Sequence, residues 1–158
     1  MNAMSISDKD QERFWSRVSK TESCWDWTAS KTPEGYGKIS MESKDRSAHR
    51  IAYELAKGAI PAGLIIDHIC HRRACVNPEH LRAVTYKQNQ ENLSSFRGAS
   101  GVRGVSWKKK DKRWQASVRH HGKYYHVGQF TDLAEAEAAV IAKRNELFTH
   151  NDADRRVA

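Results

Sequence analysis

The residues best suited to chemistry lie close together, in Asp67-His68-Ile69-Cys70-His71-Arg72-Arg73-Ala74-Cys75-Val76-Asn77-Pro78-Glu79-His80. Cys70, Cys75 and His80 are each separated by four residues, and Cys24 stands upstream on another segment. Three thiolates and one imidazole make a closed tetrahedral set, the pattern of a structural Zn²⁺ site. The loop around them is polar and offers little core in which cysteines serve merely as small hydrophobes. Asp67-His68 directly precedes the first cysteine of the loop. His68 is a candidate general base, since a neutral imidazole takes a proton from water near neutral pH. Asp67 offers hard carboxylate oxygen, which suits Mg²⁺ or Mn²⁺. A carbonyl oxygen from Asn89 beside Asp67 would complete a minimal two-ligand site, with water and phosphate oxygens filling the rest.

The elements that must position these groups follow from caps, turns and periodicity. Ser7-Asp8 caps a short helix carrying Phe14, Trp15 and Val18, after an opening expected to be disordered. Cys24–Trp27 reads as a strand, and a turn at Pro33-Glu34-Gly35 leads to an extended segment over Tyr36–Met41. Ser47 starts a helix that ends at Gly58. Pro61 to Ile66 is a loop and a short apolar strand. Asn77 and Pro78 have the form of N-cap and N1, so His80 falls in a first helical turn and can reach back to the zinc. Thr85-Tyr86-Lys87-Gln88 has the form of a capping box and places Asn89 on the following helix.

Residues 94–101, SSFRGASG, are small, polar and Gly-rich. They mark a boundary, giving a first module over 1–94, a linker over 95–101, a second module over 102–150 and a tail over 151–158. In the second module Arg113, Gln115, Ser117 and Arg119 alternate with Trp114, Ala116 and Val118, as in a strand with one polar and one apolar face. Turns at Asp111-Lys112 and His121-Gly122 delimit three strands. A helix from an N-cap at Thr131 to Phe148 covers the apolar face through Leu133, Ala136, Val140 and Leu147. The fold class is therefore α+β.

The net charge is +8, from 27 Lys+Arg and 19 Asp+Glu. Residues 1–94 carry 14 basic and 12 acidic side chains, and residues 95–158 carry 13 and 7. Between Arg97 and Gln129 nine basic residues face Asp111 alone. Such a block suits a polyphosphate partner. The opposite face of the sheet can lie in a major groove and read base edges, while Lys109 and its neighbours at the turn grip phosphates. No apolar run approaches the ~20 residues of a membrane span, and the start has no signal-peptide core. Three cysteines do not close a disulfide framework. The expected setting is intracellular, in the cytoplasmic DNA compartment of a host cell, where thiols are free for metal.

Residues 20–93 resemble the HNH, or His-Me finger, nucleases, and most of all the homing endonucleases of phages and introns. The resemblance rests on His68, Cys70, Cys75, His80 and Asn89 at the spacings of zinc-bearing members, on the Asp67-His68 pair of phage members, and on Ala48-His49-Arg50 with Gly58-Ala59-Ile60-Pro61. It implies a zinc-stabilised ββα-metal module and a site-directed endonuclease. His68 would be the base, Asp67 and Asn89 would hold one Mg²⁺ or Mn²⁺, and the products would carry 5′-phosphate and 3′-hydroxyl ends. It also implies an arginine on the scissile phosphate, for which Arg50 and Arg72 are the candidates. Residues 100–148 resemble the Apetala and ethylene-response-factor DNA-binding domain through Gly101–Val105, Arg113–Ala116, Val127–Phe130 and the Ala-rich helix. By that resemblance Arg103, Trp107, Arg113, Ser117, Arg119, Tyr124 and His126 face double-stranded DNA, with Gln115 on the same strand face. A monomer would most simply nick, and a homodimer would cut both strands. The alternative is a zinc-containing DNA-binding regulator without cutting activity, which would have no use for Asp67, His68 and Asn89.

Overall fold

In the computed structural model the described residues are 6–41, 43–93 and 98–155. The opening expected to be disordered (residues 1–5), residues 95–97 of the expected linker and 156–158 of the tail lie outside them. The chain forms two compact units, Met1–Lys87 and Gln88–Ala158. Along it run α1 (Asp8–Trp15), β1 (Val18–Lys20), β2 (Trp25–Trp27), β3 (Lys38–Met41), β4 (Lys44–Ser47), α2 (Ala48–Lys57), β5 (Ile65–His68), a three-residue 3-10 turn (Pro78–His80), β6 (Leu81–Val84) and α3 (Tyr86–Glu91). Then follow β7 (Val105–Lys108), β8 (Arg113–His120), β9 (Lys123–Phe130), α4 (Leu133–Leu147) and α5 (Asp152–Arg155). The architecture is mixed α and β. Among the described residues no helix is long and apolar enough to cross a membrane.

The first unit is built from three antiparallel hairpins, β1–β2, β3–β4 and β5–β6. Ser7 caps α1, its side chain accepting from Asp10 N. The helix stops at Trp15, so Val18 opens β1 instead of extending the helix. Gly58, at φ +85°, ends α2. Phe14, Trp27, Ile39, Ala48, Ile51 and Leu81 are all within 2% of complete burial and draw α1, the hairpins and α2 onto one core. A module this small, assembled from strands of three and four residues, buries little apolar area, and so its loops must be held by other means.

In the second unit β7, β8 and β9 form one antiparallel sheet. Lys112 and His121, both at positive φ, make the two turns. Ala116, Val118, Ala136 and Val140 are buried between sheet and helix. The cap of α4 is Asp132, one residue beyond the expected Thr131; its carboxylate accepts from Ala134 N and Glu135 N at 2.8 and 3.0 Å. The expected tail is partly helical. Arg144, 5% exposed, pairs with Asp154 of α5, and its guanidinium also donates to the Arg103 carbonyl. Burial opposes ionisation of Asp154, but the Arg144 and Asn151 hydrogen bonds outweigh it and hold the carboxyl below its usual range.

The units divide between Lys87 and Gln88, ahead of the Gly-rich segment. The end of α3 is packed into the second unit. Glu91 and Asn92 are each 3% exposed. Glu91 Oε2 accepts from Thr149 N and Oγ1, and Asn92 Oδ1 accepts from Asp152 N. Composition alone does not reveal such contacts, because both partners are polar.

Gly37 is required where β3 starts. A Cβ there would lie 2.7 Å from Trp27 Cγ and 2.8 Å from Ala48 Cβ, both in the core. Gly37→Ala should therefore destabilise the first unit by about 1–3 kcal/mol through overpacking, read as an earlier thermal transition of that unit alone. An unchanged transition would show that Trp27 and Ala48 separate without cost.

Candidate metal centre and active site

Two backbone hydrogen bonds stitch β2 to the loop that follows β5. Trp27 N donates to Ala74 O at 2.9 Å and Val76 N to Trp25 O at 2.7 Å, with Asp26 bridged to Cys75. These bonds carry Cys24, at the head of β2, to the cysteines of the loop. Asn77 caps the 3-10 turn, accepting from Glu79 N at 3.0 Å, and its amide donates to Ser23 O at 2.7 Å. His80 is thereby turned back so that Nδ1 lies 3.6 Å from the Sγ atoms of both Cys24 and Cys75. The ligand atoms of Cys24, Cys70, Cys75 and His80 all lie within 4.8 Å of one another. Tetrahedral bonds of about 2.3 Å to sulfur and about 2.0–2.1 Å to nitrogen separate neighbouring ligand atoms by roughly 3.5–3.8 Å. The set fits a four-coordinate ion and its chemistry is compatible with zinc. The thiols share hydrogen bonds unequally. A bond from Cys70 brings Cys75 down to about 4 and pushes Cys70 up, while burial raises Cys24.

His68 ends β5, opposite Leu81, and Asp67 lies opposite Arg82. Both are buried, at 7% and 6% exposure. His68 Nε2 lies 3.1 Å from the carbonyl oxygen of Cys75. A carbonyl only accepts, so Nε2 carries the proton and Nδ1 keeps its lone pair. Burial lowers the His68 pKa, and the Cys75 carbonyl partly opposes that shift. Asp67 Oδ2 accepts from Arg82 Nε at 3.0 Å and Nη2 at 2.9 Å. A buried carboxylate needs such a partner, because desolvation of an unpaired charge costs several kcal/mol.

Two further residues join His68. His49, in the first turn of α2, meets its ring edge-on at 4.8 Å between centroids, and Tyr36 lies 5.4 Å from His49 and 5.9 Å from His68. His49 is 9% exposed, and its Nδ1 is fully buried with no hydrogen-bond partner among the described residues. An unsatisfied buried polar atom costs about 1–3 kcal/mol. Burial, and then the charges His68 and Arg50 would bring, push His49 down to about 3, so it is neutral in solution near pH 7. In the sequence His49 stands out only within the Ala48-His49-Arg50 resemblance, and nothing local sets it beside His68. Arg82 was equally hidden, because only the hairpin register sets it against Asp67. Of the two arginines weighed for a phosphate, Arg72 is paired with Asp26. Arg50 forms no ion pair with any described residue and is half-buried.

In the second unit the residues expected to face DNA divide. Arg113, Gln115, Ser117 and Arg119 share one face of β8, and the register sets Tyr124 against Arg119 and His126 against Ser117 on that same face. Gln115 Nε2 donates to Tyr124 Oη at 3.0 Å and lies 3.4 Å from His126 Nδ1. Lys109 is exposed in the β7–β8 turn. Trp107 is placed otherwise. It is paired with Trp114, whose side chain lies on the apolar face, so the register turns Trp107 away from Arg113 and Gln115. Arg103 is also redirected: it is half-buried, and its guanidinium donates to the Glu91 and Gln90 carbonyls at 3.1 and 2.9 Å, satisfying the open end of α3. Asn89 stands on α3 and is half-buried.

Metal analysis of the purified chain should find about one tightly held ion per molecule. Cys75→Ser should lose it and lower the melting transition of the first unit while leaving the second in place. A variant that melts with the wild type would rule out a structural ion at this cluster.

A sequence profile of the HNH endonuclease family matches residues 46–91, the span from the end of β4 to the end of α3. Protein 7.7 of Escherichia phage T7 is 36% identical over 72 residues, which are 46% of this chain and 55% of that protein. Protein 3.8 of the same phage is 33% identical over 100 residues, 63% of this chain and 82% of its own length. An uncharacterized HNH endonuclease of Acanthamoeba polyphaga mimivirus is 29% identical over 135 residues, 85% of this chain and 66% of that protein. The chain thus spans only about half of the first relative and most of the second. No solved structure matches it. The matched segment contains the strand that ends in His68 and three of the four residues of the Cys3His cluster, and it shows that the chain carries an HNH endonuclease domain, the module of a DNA-cleaving enzyme.

Proposed function

We propose that this protein is a site-directed, metal-dependent endonuclease of the homing type, acting on double-stranded DNA with His68 as its general base. The observation that carries this reading is the hydrogen bond from His68 Nε2 to the Cys75 carbonyl. It fixes the proton on one nitrogen and leaves the Nδ1 lone pair to accept a proton from water. The water oxygen then bonds to phosphorus as the bond from phosphorus to the 3′ oxygen breaks. This leaves a 5′-phosphate and a 3′-hydroxyl.

Asp67 and Asn89 are the residues that would hold Mg²⁺ or Mn²⁺, through one carboxylate and one amide oxygen, both hard donors. A divalent ion there supplies electrostatic stabilisation of the charge developing on the 3′ oxygen, and no protein acid is needed for that leaving group. Arg82 holds the buried Asp67 carboxylate in place through two hydrogen bonds. Arg50, which is not tied up as Arg72 is, is the arginine we assign to the scissile phosphate.

Zn²⁺ is the ion we assign to Cys24, Cys70, Cys75 and His80, in a structural role, because a set of four protein ligands leaves no open position. The second unit, read as an Apetala-like DNA-binding domain, would offer Arg113, Gln115, Ser117, Arg119, Tyr124 and His126 to a major groove and Lys109 to phosphates. Such a protein works where DNA and free thiols coexist, inside a host cell. A zinc-stabilised DNA-binding regulator is the second reading, favoured by one observation: the Asp67 carboxylate already has an arginine partner.

Plasmid cleavage separates the two. With Mg²⁺ or Mn²⁺ and DNA flanking the native gene, the wild type should cut. His68→Ala should bind the same DNA but cut at least about 100-fold more slowly, the usual contribution of a general base. Equal cutting by both would remove His68 as the base, and binding without cutting by either, across substrates, would favour the regulator. On the second unit, Arg113→Ala should cost about 1–3 kcal/mol of discrimination at one base pair. A loss uniform across sequences and steep in salt would make Arg113 a phosphate contact instead.

A further inference from the structure

We propose that His49 is a positioning residue for His68: its polar ring edge holds the His68 imidazole in the orientation that keeps Nε2–H on the Cys75 carbonyl. The inference rests on the reading of His68 as the base and adds a residue that the reading does not itself require.

An imidazole turned by 180° about its Cβ–Cγ bond fills nearly the same space but exchanges nitrogen and carbon positions. In the exchanged state a carbon faces the Cys75 carbonyl, and the lone pair of Nδ1 moves to the other edge. The shape of the pocket alone does not separate the two states. Polar neighbours do, because they distinguish N–H from C–H.

His68 has three close neighbours of known geometry. The Cys75 carbonyl meets Nε2 at 3.1 Å. Tyr36 stands 5.9 Å away with a tilted ring. His49 is nearest of the rings, at 4.8 Å with the planes 60° apart. His49 is itself only 9% exposed, on a helix whose Ala48, Ile51 and Ala52 are fully buried in the core. Its Nδ1 has no partner among the described residues. A phenyl ring would fill the same space without leaving a buried nitrogen unsatisfied. The nitrogen therefore does nothing for stability, and the polar group it presents is a ring dipole beside His68. Tyr36 closes the remaining side, and Arg73 lies over the Tyr36 ring at 5.6 Å, with Nη1 donating to Glu34 O at 2.8 Å.

The test uses the full chain in four forms: wild type, His49→Phe, His49→Gln and His68→Ala. Cleavage kinetics give kcat and KM separately, thermal melting reports the fold, and long-range ¹⁵N–¹H spectra of histidine-labelled protein report the tautomer of His68. His49→Phe should lower kcat by about tenfold to a hundredfold, the scale of a misplaced reacting group. KM should stay near wild type, the melting temperature should not fall, and the His68 pattern should change from a single Nε2–H form to a mixture. His49→Gln, which restores a polar edge, should recover part of kcat and the single form. Wild-type kcat and an unchanged His68 spectrum in His49→Phe would overturn the proposal. So would a kcat loss that tracks a fall in melting temperature and is not relieved by Gln. If His49→Phe does not fold, His49→Leu carries the same expectations. The His68→Ala lane isolates the underlying reading: full cutting there sinks the base itself, whereas a dead His68→Ala beside a fully active His49→Phe sinks only the role of His49.

Discussion

The hydrogen bond between His68 and the carbonyl of Cys75 joins two otherwise separate pieces of chemistry. The thiol of Cys75 belongs to the Cys3His cluster, and its carbonyl fixes the proton of the imidazole at the end of β5. Its backbone is bridged to Asp26 of β2, and its neighbours Ala74 and Val76 are hydrogen-bonded to Trp27 and Trp25. One residue therefore belongs both to the Cys3His cluster and to the contact that orients a catalytic candidate seven positions earlier. This explains why a module with such short strands holds a histidine in one orientation. The hydrophobic core is too small to fix a polar loop, so the loop is held by backbone bonds to β2, beside a cluster of four side chains that could hold an ion.

Burial sets the electrical character of the first unit. His49 and His68 are both desolvated, which disfavours their charged forms, and a second imidazole close by makes double protonation costlier still. The carboxylate beside them has the opposite requirement. Asp67 remains in a buried place because Arg82 meets it with two nitrogens from the facing strand.

The second unit solves a different problem with similar means. Its sheet buries one face beneath α4 and leaves the other polar, as alternation demands. Its ends are tied by buried ion pairs and caps: Arg144 to Asp154, Arg103 to the last carbonyls of α3, and Glu91 to backbone amides after α4. A cationic side chain in such a segment thus has two fates. Arg113 and Arg119 are exposed on the open face, while Arg103 and Arg144 are drawn inside by carbonyl and carboxylate acceptors.

Much of this was legible in the chain alone. The four members of the Cys3His cluster were marked by their spacing, and their ligand atoms come together in the fold. The caps at Ser7 and Asn77 came from side chains whose only local use is to accept an amide proton. The polar face of β8 came from a period of two. What the sequence could not supply were relations between residues distant in it. The register of β5 on β6 set Arg82 against Asp67, and that of β7 on β8 turned Trp107 toward the apolar side. Packing of α2 brought His49 to His68. The acceptors at the end of α3 claimed Arg103, and Arg144 drew Asp154 and the expected tail into a helix. Local patterns determine which residues can bind metal, cap a helix or face water. Which buried polar groups meet is decided only when the strands choose their register and the helices pack, because the energy of those contacts exists only once both partners have left water.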